Sequence, residues 1–303
     1  MARFGTILLT GINGQVGFEL QHTLSVLGRA VALDRGQLDL SDTDAIRRVV
    51  REIKPDLIIN PAAYTAVDKA ESEPELAFAI NAKAPAVLAE EAARLGAMLV
   101  HYSTDYVYDG AKSSPYVETD ATNPLSVYGK SKLAGEAAIL AVGLPNLILR
   151  TSWVYGGRGK NFLRTILRLA SEREQLRVVD DQVGAPTWSR TIAESTASAL
   201  LNWDESKSGT YHLTGAGETS WHGFAHEIVE EYELLREARG WPELKVGAEN
   251  IEAITTADYP TQAPRPANSR MDCTKFANAF SVVVPDWRVA LNEVLNDPKF
   301  RPA

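Results

Sequence analysis

The first half of the chain alternates short apolar runs with longer stretches in which apolar residues recur at helical spacing. Residues 6–10 (TILLT) are a β-branched and leucine run stopped by Gly11, which predicts a buried strand. Apolar positions from 16 to 27 share a helical face, and Gly28 closes that segment. Similar apolar runs at 30–33, 56–60, 98–103 and 146–151 predict four more strands. Helical patterns separate them: from the Ser41-Asp42 cap signal to Pro55, over 73–95 with Gly96 just beyond, and over 126–141. Strands this apolar, each followed by a helix, predict class α/β with a doubly wound parallel sheet of Rossmann type.

The rhythm loosens after Thr151. Helices are expected over 161–173, 190–201 and 220–239, strands over 176–179 and 209–213, and a short helix after Pro285. Residues 255–269 hold Pro260, Pro264 and Pro266 with little periodicity, which predicts an extended loop. The chain therefore divides into a sheet domain over 1–155, completed by segments within 175–215, and a smaller α/β domain over 156–303.

Composition narrows the function. A chain of 303 residues supplies an ample core, and its net charge of -8 disfavours a nucleic-acid partner or an anionic membrane surface. Cys273 is the single cysteine, so neither a disulfide framework nor a thiol metal cluster is expected. The apolar run near the start is too short for a signal segment or a spanning helix, so a cytoplasmic protein without a membrane partner is expected.

The candidate chemistry begins at Gly11, Gly14 and Gly17, between the first strand and the first helix. Glycines there permit a tight turn and let the backbone approach a pyrophosphate at the helix N-terminus, which marks the sheet domain as dinucleotide-binding. The spacing is G-x-x-G-x-x-G rather than G-x-G-x-x-G. Asp34, ending the second strand, suits a ribose 2′-hydroxyl and favours NAD; Arg35 beside it suits a 2′-phosphate and favours NADP. Asp39 and Leu40 follow and flank the expected adenine position.

Tyr128 and Lys132 open the helix at 126–141, where side chains four apart share a face. A neighbouring ammonium lowers a phenol's pKa and makes it a better acid for a carbonyl oxygen receiving a hydride. Thr104, at the end of the fourth strand, lies where open α/β sheets bind ligands and offers a hydroxyl to the same oxygen. Tyr108 and Lys112 repeat the Y-x-x-x-K spacing, but the intervening Asp109-Gly110 signals a turn, so Tyr108 is expected to be a packing residue. Arg265, in the proline-rich loop, suits a phosphate.

With LLTGINGQVGFEL, NPAAYTAVDKAE, YSTDYVYDG, YGKSKLAGE, LRTSWVYG, DDQVGAPT and YPTQAPRPANSRMD in place, nearly the whole chain resembles the extended short-chain dehydrogenase/reductase family. The resemblance implies reduction of a dTDP-sugar carbonyl by NADPH or NADH. It assigns the cofactor to Gly11, Gly14, Gln15, Val16, Gly17, Ala62, Ala63, Tyr64, Tyr128 and Lys132, and catalysis to Thr104, Tyr128 and Lys132, with Thr104 also touching the substrate. Thr65, Val67, Asp105, Tyr106 and Trp153 would line the substrate pocket, with Arg265 on the diphosphate. A different nucleotide-sugar ketoreductase or epimerase, or a non-catalytic regulatory subunit, stays open as an alternative. Some family members form dimers bridged by Mg²⁺; the matching positions here are Glu19, Arg190 and Asp297, and a cation would be repelled by Arg190, so no metal is expected and a homodimer is left open.

Other signals point to ordinary structure. His222 and His226 have i, i+4 spacing but no third ligand near them in the sequence, and Asp180-Asp181 fits a loop shaping the pocket better than an acid dyad.

Overall fold

The computed structural model describes residues 3–302. Its centre is a parallel sheet containing β1 (Thr6–Leu9), β2 (Arg29–Ala32), β3 (Leu57–Asn60), β4 (Met98–Thr104) and β5 (Asn146–Thr151). The strand Gly209–His212 completes it, and the order across the six is Gly209–His212, β5, β4, β3, β1, β2. The chain goes from β1 outward to β2, then crosses back to β3 on the other side of β1. The carboxyl ends of β1 and β3 thus flank a topological switch point, the crevice where doubly wound sheets bind ligands.

Alternation along the strands sends side chains to two opposite layers. Ile7, Leu9, Ile59, Val100, Tyr102 and Leu149 pack with residues of α1 (Gln15–Thr23) and of the helix Ser189–Leu201. Leu8, Ile58, Leu99 and Ile148 pack on the other face against α2 (Thr43–Ile53), with Asp42 as its N-cap, and against further helices of the first half. These are α5 (Ala84–Leu95) and α6 (Val127–Val142), while α3 (Val67–Ala70) and α4 (Pro74–Phe78) pack on α6. A separate core gathers Tyr155, Leu163, Leu176, Trp188, Phe224, Tyr232, Trp287 and Leu291 around the helix Trp221–Arg239. There the strand Leu176–Val179 pairs in parallel with Ile251–Ile254, a strand buried only at its two ends and so without an apolar run to mark it in the sequence.

Two expected helices are interrupted. The first, expected over 16–27, ends at Thr23 and tightens into a 3₁₀ turn at Leu24–Val26. The long helix expected over 73–95 widens into a π turn at Ala79–Lys83 before α5 begins. Pro85 is the physical cause: it has no N–H, and its ring would collide with the carbonyl of residue 81 in a regular helix. The interruption frees Asn81 for the site below. Among the described residues no helix is long and apolar enough to cross a membrane.

Candidate active site

The glycine turn leads from β1 into α1. Gly11 has φ +62, and a Cβ there would lie 2.7 Å from the Ala62 Cβ; one on Gly17 would lie 2.2 Å from the Gly11 carbonyl oxygen. The turn therefore keeps an all-backbone surface against Ala62, just beyond β3. Gly14 caps α1 without a side-chain acceptor, so the N–H groups of Gln15, Val16 and Gly17 face the crevice as an anion cradle. These features fit a dinucleotide's pyrophosphate. Gln15 also accepts from the Asn161 amide at 3.0 Å, tying the cradle to the second half of the chain.

At the rim, Asp34 exchanges backbone and side-chain bonds with Gln37 at 3.0 and 3.1 Å. Exposed Arg35 pairs with Asp39 at 3.6 Å, and bonds from Ser41 hold the Asp39 carboxyl below its usual range. Leu40 turns its side chain into the core beside Leu38 and Ile46, which leaves only its backbone for a ligand. Ala63, Tyr64 and Thr65 continue from Ala62 toward α3, where Val67 is the first residue. Asn81, released by the π turn, holds this segment: it accepts from Tyr64 N–H at 2.8 Å and donates to the Tyr64 carbonyl at 3.0 Å. Its amide also donates to Ser131 on α6 at 3.0 Å, linking the cofactor segment to the helix that carries Tyr128.

Thr104 ends β4 directly beside Thr151 of β5. Ser126 caps α6 by accepting from Gly129 N–H at 3.1 Å, which starts that helix where Tyr128 faces Thr104. Tyr106 packs edge-on against Tyr128, with ring centroids 5.4 Å apart. Burial pushes the Tyr128 phenol up to about 12, with the Thr104 hydroxyl pulling it down and the Asp105 charge adding to the rise. The phenol is therefore protonated at neutral pH. Asp105 is buried, which raises its carboxyl to about 6; it accepts from the Thr104 hydroxyl at 3.0 Å and from the Ser269 hydroxyl at 2.5 Å.

Lys132 corrects one expectation. Its ammonium does not lie on Tyr128 but donates to the Tyr102 carbonyl at 2.6 Å and approaches His101 Nε2 at 3.2 Å. Burial lowers it to about 8, with Glu136 opposing. It ends a buried polar chain in which Thr10 donates to Asn60 at 2.6 Å and the Asn60 amide meets His101 Nδ1 at 3.2 Å. Asn60 and His101 are register partners on β3 and β4. Burial, with the Lys132 charge adding to it, keeps His101 well below its usual pKa, so it is neutral and able to accept from the ammonium.

Trp153 stands two residues beyond Thr151 with a strained φ of +47, stacked on Trp221 at 3.6 Å between centroids. The pair forms a flat aromatic wall. Arg265 pairs with Asp68 on α3 at 2.7 Å. Tyr108 is buried and stacked on Tyr116 at 4.1 Å, while the Lys112 ammonium pairs with Asp120 at 2.6 Å. His222 lies 2.9 Å from the Ile251 carbonyl and His226 pairs with Glu230, so each has a partner of its own. Asp181 accepts from Thr256, fastening its loop. Arg190 stands between Glu19, at 3.2 Å, and Asp297, at 2.8 Å.

Thr10, Asn60, Asn81, His101, Ser269 and Trp221 were not singled out from the sequence. For Asn60 and His101 a signal existed, since each directly follows an apolar run of three strand residues and is a polar group that needs a partner when buried.

A doubly wound sheet with a glycine cradle at its switch point and Thr, Tyr and Lys at the adjoining strand and helix ends defines a short-chain dehydrogenase/reductase. The chain belongs to the family described as RmlD substrate binding domain, whose model matches residues 5–300. It is 49% identical to dTDP-4-dehydrorhamnose reductase of Burkholderia thailandensis, over 96% of this chain and 98% of that one. Among solved structures, it resembles a dTDP-4-dehydrorhamnose reductase of Clostridium acetobutylicum with a TM-score of 0.87 and 36% identity, over 96% of this chain and 98% of that one. The corresponding enzyme of Bacillus anthracis, solved in complex with NADP, superposes with a TM-score of 0.86 at 34% identity, covering 97% of this chain and 99% of that one.

Proposed function

We propose that this protein reduces dTDP-4-dehydro-β-L-rhamnose to dTDP-β-L-rhamnose, with NADPH or NADH as reductant. The observation that carries the chemistry is the meeting of Thr104 and Tyr128 at the carboxyl end of β4, with Lys132 one turn further along α6. The cofactor, when bound, supplies the hydride to the sugar's C4. Gly11, Gly14, Gln15, Val16 and Gly17 hold its pyrophosphate, Asp34, Arg35, Asp39 and Leu40 border its adenosine, and Ala62, Ala63 and Tyr64 support it from β3.

Tyr128 gives its proton to the sugar O4 as negative charge develops there, and a phenol that remains protonated at neutral pH suits that direction. Thr104 donates to Asp105 at rest and turns its hydroxyl toward O4 as the charge grows. Lys132, held by Tyr102 and His101, steadies the nicotinamide ribose. Thr65, Val67, Asp105 and Tyr106 border the sugar, and Trp153 presents a flat face to its deoxy edge. Arg265 takes the diphosphate.

The test is NADPH oxidation followed at 340 nm with enzymatically generated dTDP-4-dehydro-β-L-rhamnose. Turnover supports the reading, whereas cofactor binding without turnover points to another nucleotide sugar. A pH profile adds a second check. Because kcat/KM reports the free enzyme, its value for NADPH is expected to fall as pH rises through about 8, where Lys132 loses its charge. In Lys132→Met that limb should vanish. A wild-type profile flat to pH 10 would remove the Lys132 charge from cofactor binding.

A further inference from the structure

We propose that Asp68 is a built-in anion seated in the phosphate site of the substrate pocket, and that a nucleotide sugar's diphosphate must displace it from Arg265. The inference rests on the nucleotide-sugar reading above and adds a residue that sets which ligands gain entry.

The bonds around Asp68 are those a phosphate would receive. Its Oδ2 accepts from the Arg265 guanidinium at 2.7 Å, and its Oδ1 accepts from the Ala263 N–H at 3.1 Å. The N–H of the preceding Gln262 also points to the carboxylate. Two successive backbone N–H groups and a guanidinium form a concave, positively polarised seat, the usual recognition set for a phosphoryl group. A carboxylate occupies it here.

The seat is built more firmly than its occupant is held. The Arg265 side chain is 19% exposed and braced by its bond to the Ala263 carbonyl at 3.0 Å, while the Asp68 side chain is 45% exposed. A half-exposed ion pair contributes little, so a ligand with more charge can replace the carboxylate and let Asp68 turn to solvent. The space for such a ligand adjoins the pair: Asp68, Lys69, Tyr259, Thr261, Gln262 and Arg265 line a cavity of ≈ 610 Å³. Lys69 stands at its rim with its ammonium paired to Glu73 at 2.7 Å, and Tyr259, 60% exposed, offers an aromatic face to a base.

The position relative to the reacting group also fits. Tyr106 lies close enough to Arg265 and Asp68 for its phenol to respond to both charges, and its ring packs on Tyr128. The anion seat and the proton donor thus share Tyr106 as a neighbour, as one sugar carrying both a carbonyl and a diphosphate requires. A sugar without the diphosphate lacks the charge to evict Asp68, so the residue selects against it.

Calorimetric titration of dTDP into the NADPH-loaded protein tests this, with the melting temperature of each variant as a folding control. Asp68→Asn is expected to bind dTDP about five- to tenfold tighter than wild type, and Arg265→Gln at least about tenfold weaker. Adding Asp68→Asn to Arg265→Gln should give no gain. Asp68→Ser, which also lacks the charge, should repeat the tighter binding if the asparagine variant folds poorly. Equal or weaker binding by a folded Asp68 variant overturns the proposal. If wild type reduces the sugar but this order of affinities is missing, the functional reading stands and Asp68 is a structural clasp only. If pyrophosphate shows the order while dTDP does not bind, the anion seat stands and the nucleotide-sugar reading falls.

Discussion

Tyr128→Phe is expected to lower kcat by about 10²–10⁴ while leaving the dissociation constant of NADPH within about twofold, the scale for removal of one positioned general acid. The substitution deletes only the hydroxyl. The ring keeps its edge-on contact with Tyr106, and Ser126 still caps α6. Thr104 remains bonded to Asp105 and Lys132 to the Tyr102 carbonyl, so the cofactor surface is unchanged. Tyr108→Phe is the matched control for activity. That hydroxyl accepts from Arg150 at 2.7 Å and contacts His212 Nε2 at 2.8 Å, so its loss should reduce stability and leave turnover near wild type. Comparable turnover by Tyr128→Phe and wild type would end the assignment of the proton donor. Stopped-flow measurement of the hydride step, with cofactor fluorescence for affinity, separates the two quantities.

Glu136→Ala is expected to destabilise the protein by about 3–5 kcal/mol, as removal of one partner of a buried ion pair does. Glu136 and Arg150 are 2% and 7% exposed at their side chains and meet at 2.6 Å, with a second bond from Arg150 Nε at 3.0 Å. The carboxylate is the anion in contact with the guanidinium, and without it the Arg150 guanidinium would keep a charge in the interior with, among the described residues, the Tyr108 hydroxyl as its remaining hydrogen-bond partner. For a chain of this size the loss corresponds to a fall of roughly 5–8 °C in melting temperature. The paired replacement Glu136→Leu with Arg150→Met removes both charges and should recover most of that fall. A decrease under 2 °C in Glu136→Ala, measured by calorimetry, would show that water reaches Arg150. The pair joins α6 to β5, so the single variant should also loosen the helix that carries Tyr128 and Lys132.

Most of the fold was legible because its signals are local. The first five strands are runs of apolar residues within a few positions of their expected ends, and the glycine turn lies in the expected place between β1 and α1. The interruption at Ala79–Lys83 was also written locally, in Pro85, but its consequence was not: only the folded chain brings the freed Asn81 to Tyr64 and Ser131. The strand Gly209–His212 was expected as an element, whereas its pairing with β5 depends on a connection through the second core.

For the site, residue identities and spacings marked Thr104, Tyr128 and Lys132, since four residues along a helix bring side chains to one face whatever surrounds them. The partners of those groups were a different matter. An ammonium near a phenol in sequence was expected to act on it, yet a buried carbonyl of β4 and a neutral histidine claim Lys132, because an interior charge takes the nearest acceptors available to it. Asp68 and Arg265 are 197 residues apart and meet only when the proline-rich loop folds back over α3. The sequence by itself determined the periodicity of the elements, the class of sheet and the chemical groups present, all set by short-range sterics and hydrophobic pattern. Tertiary structure alone decided which acceptor holds each proton, how far burial moves each pKa, and which anion sits on which guanidinium, because those depend on distances between segments that local pattern does not encode.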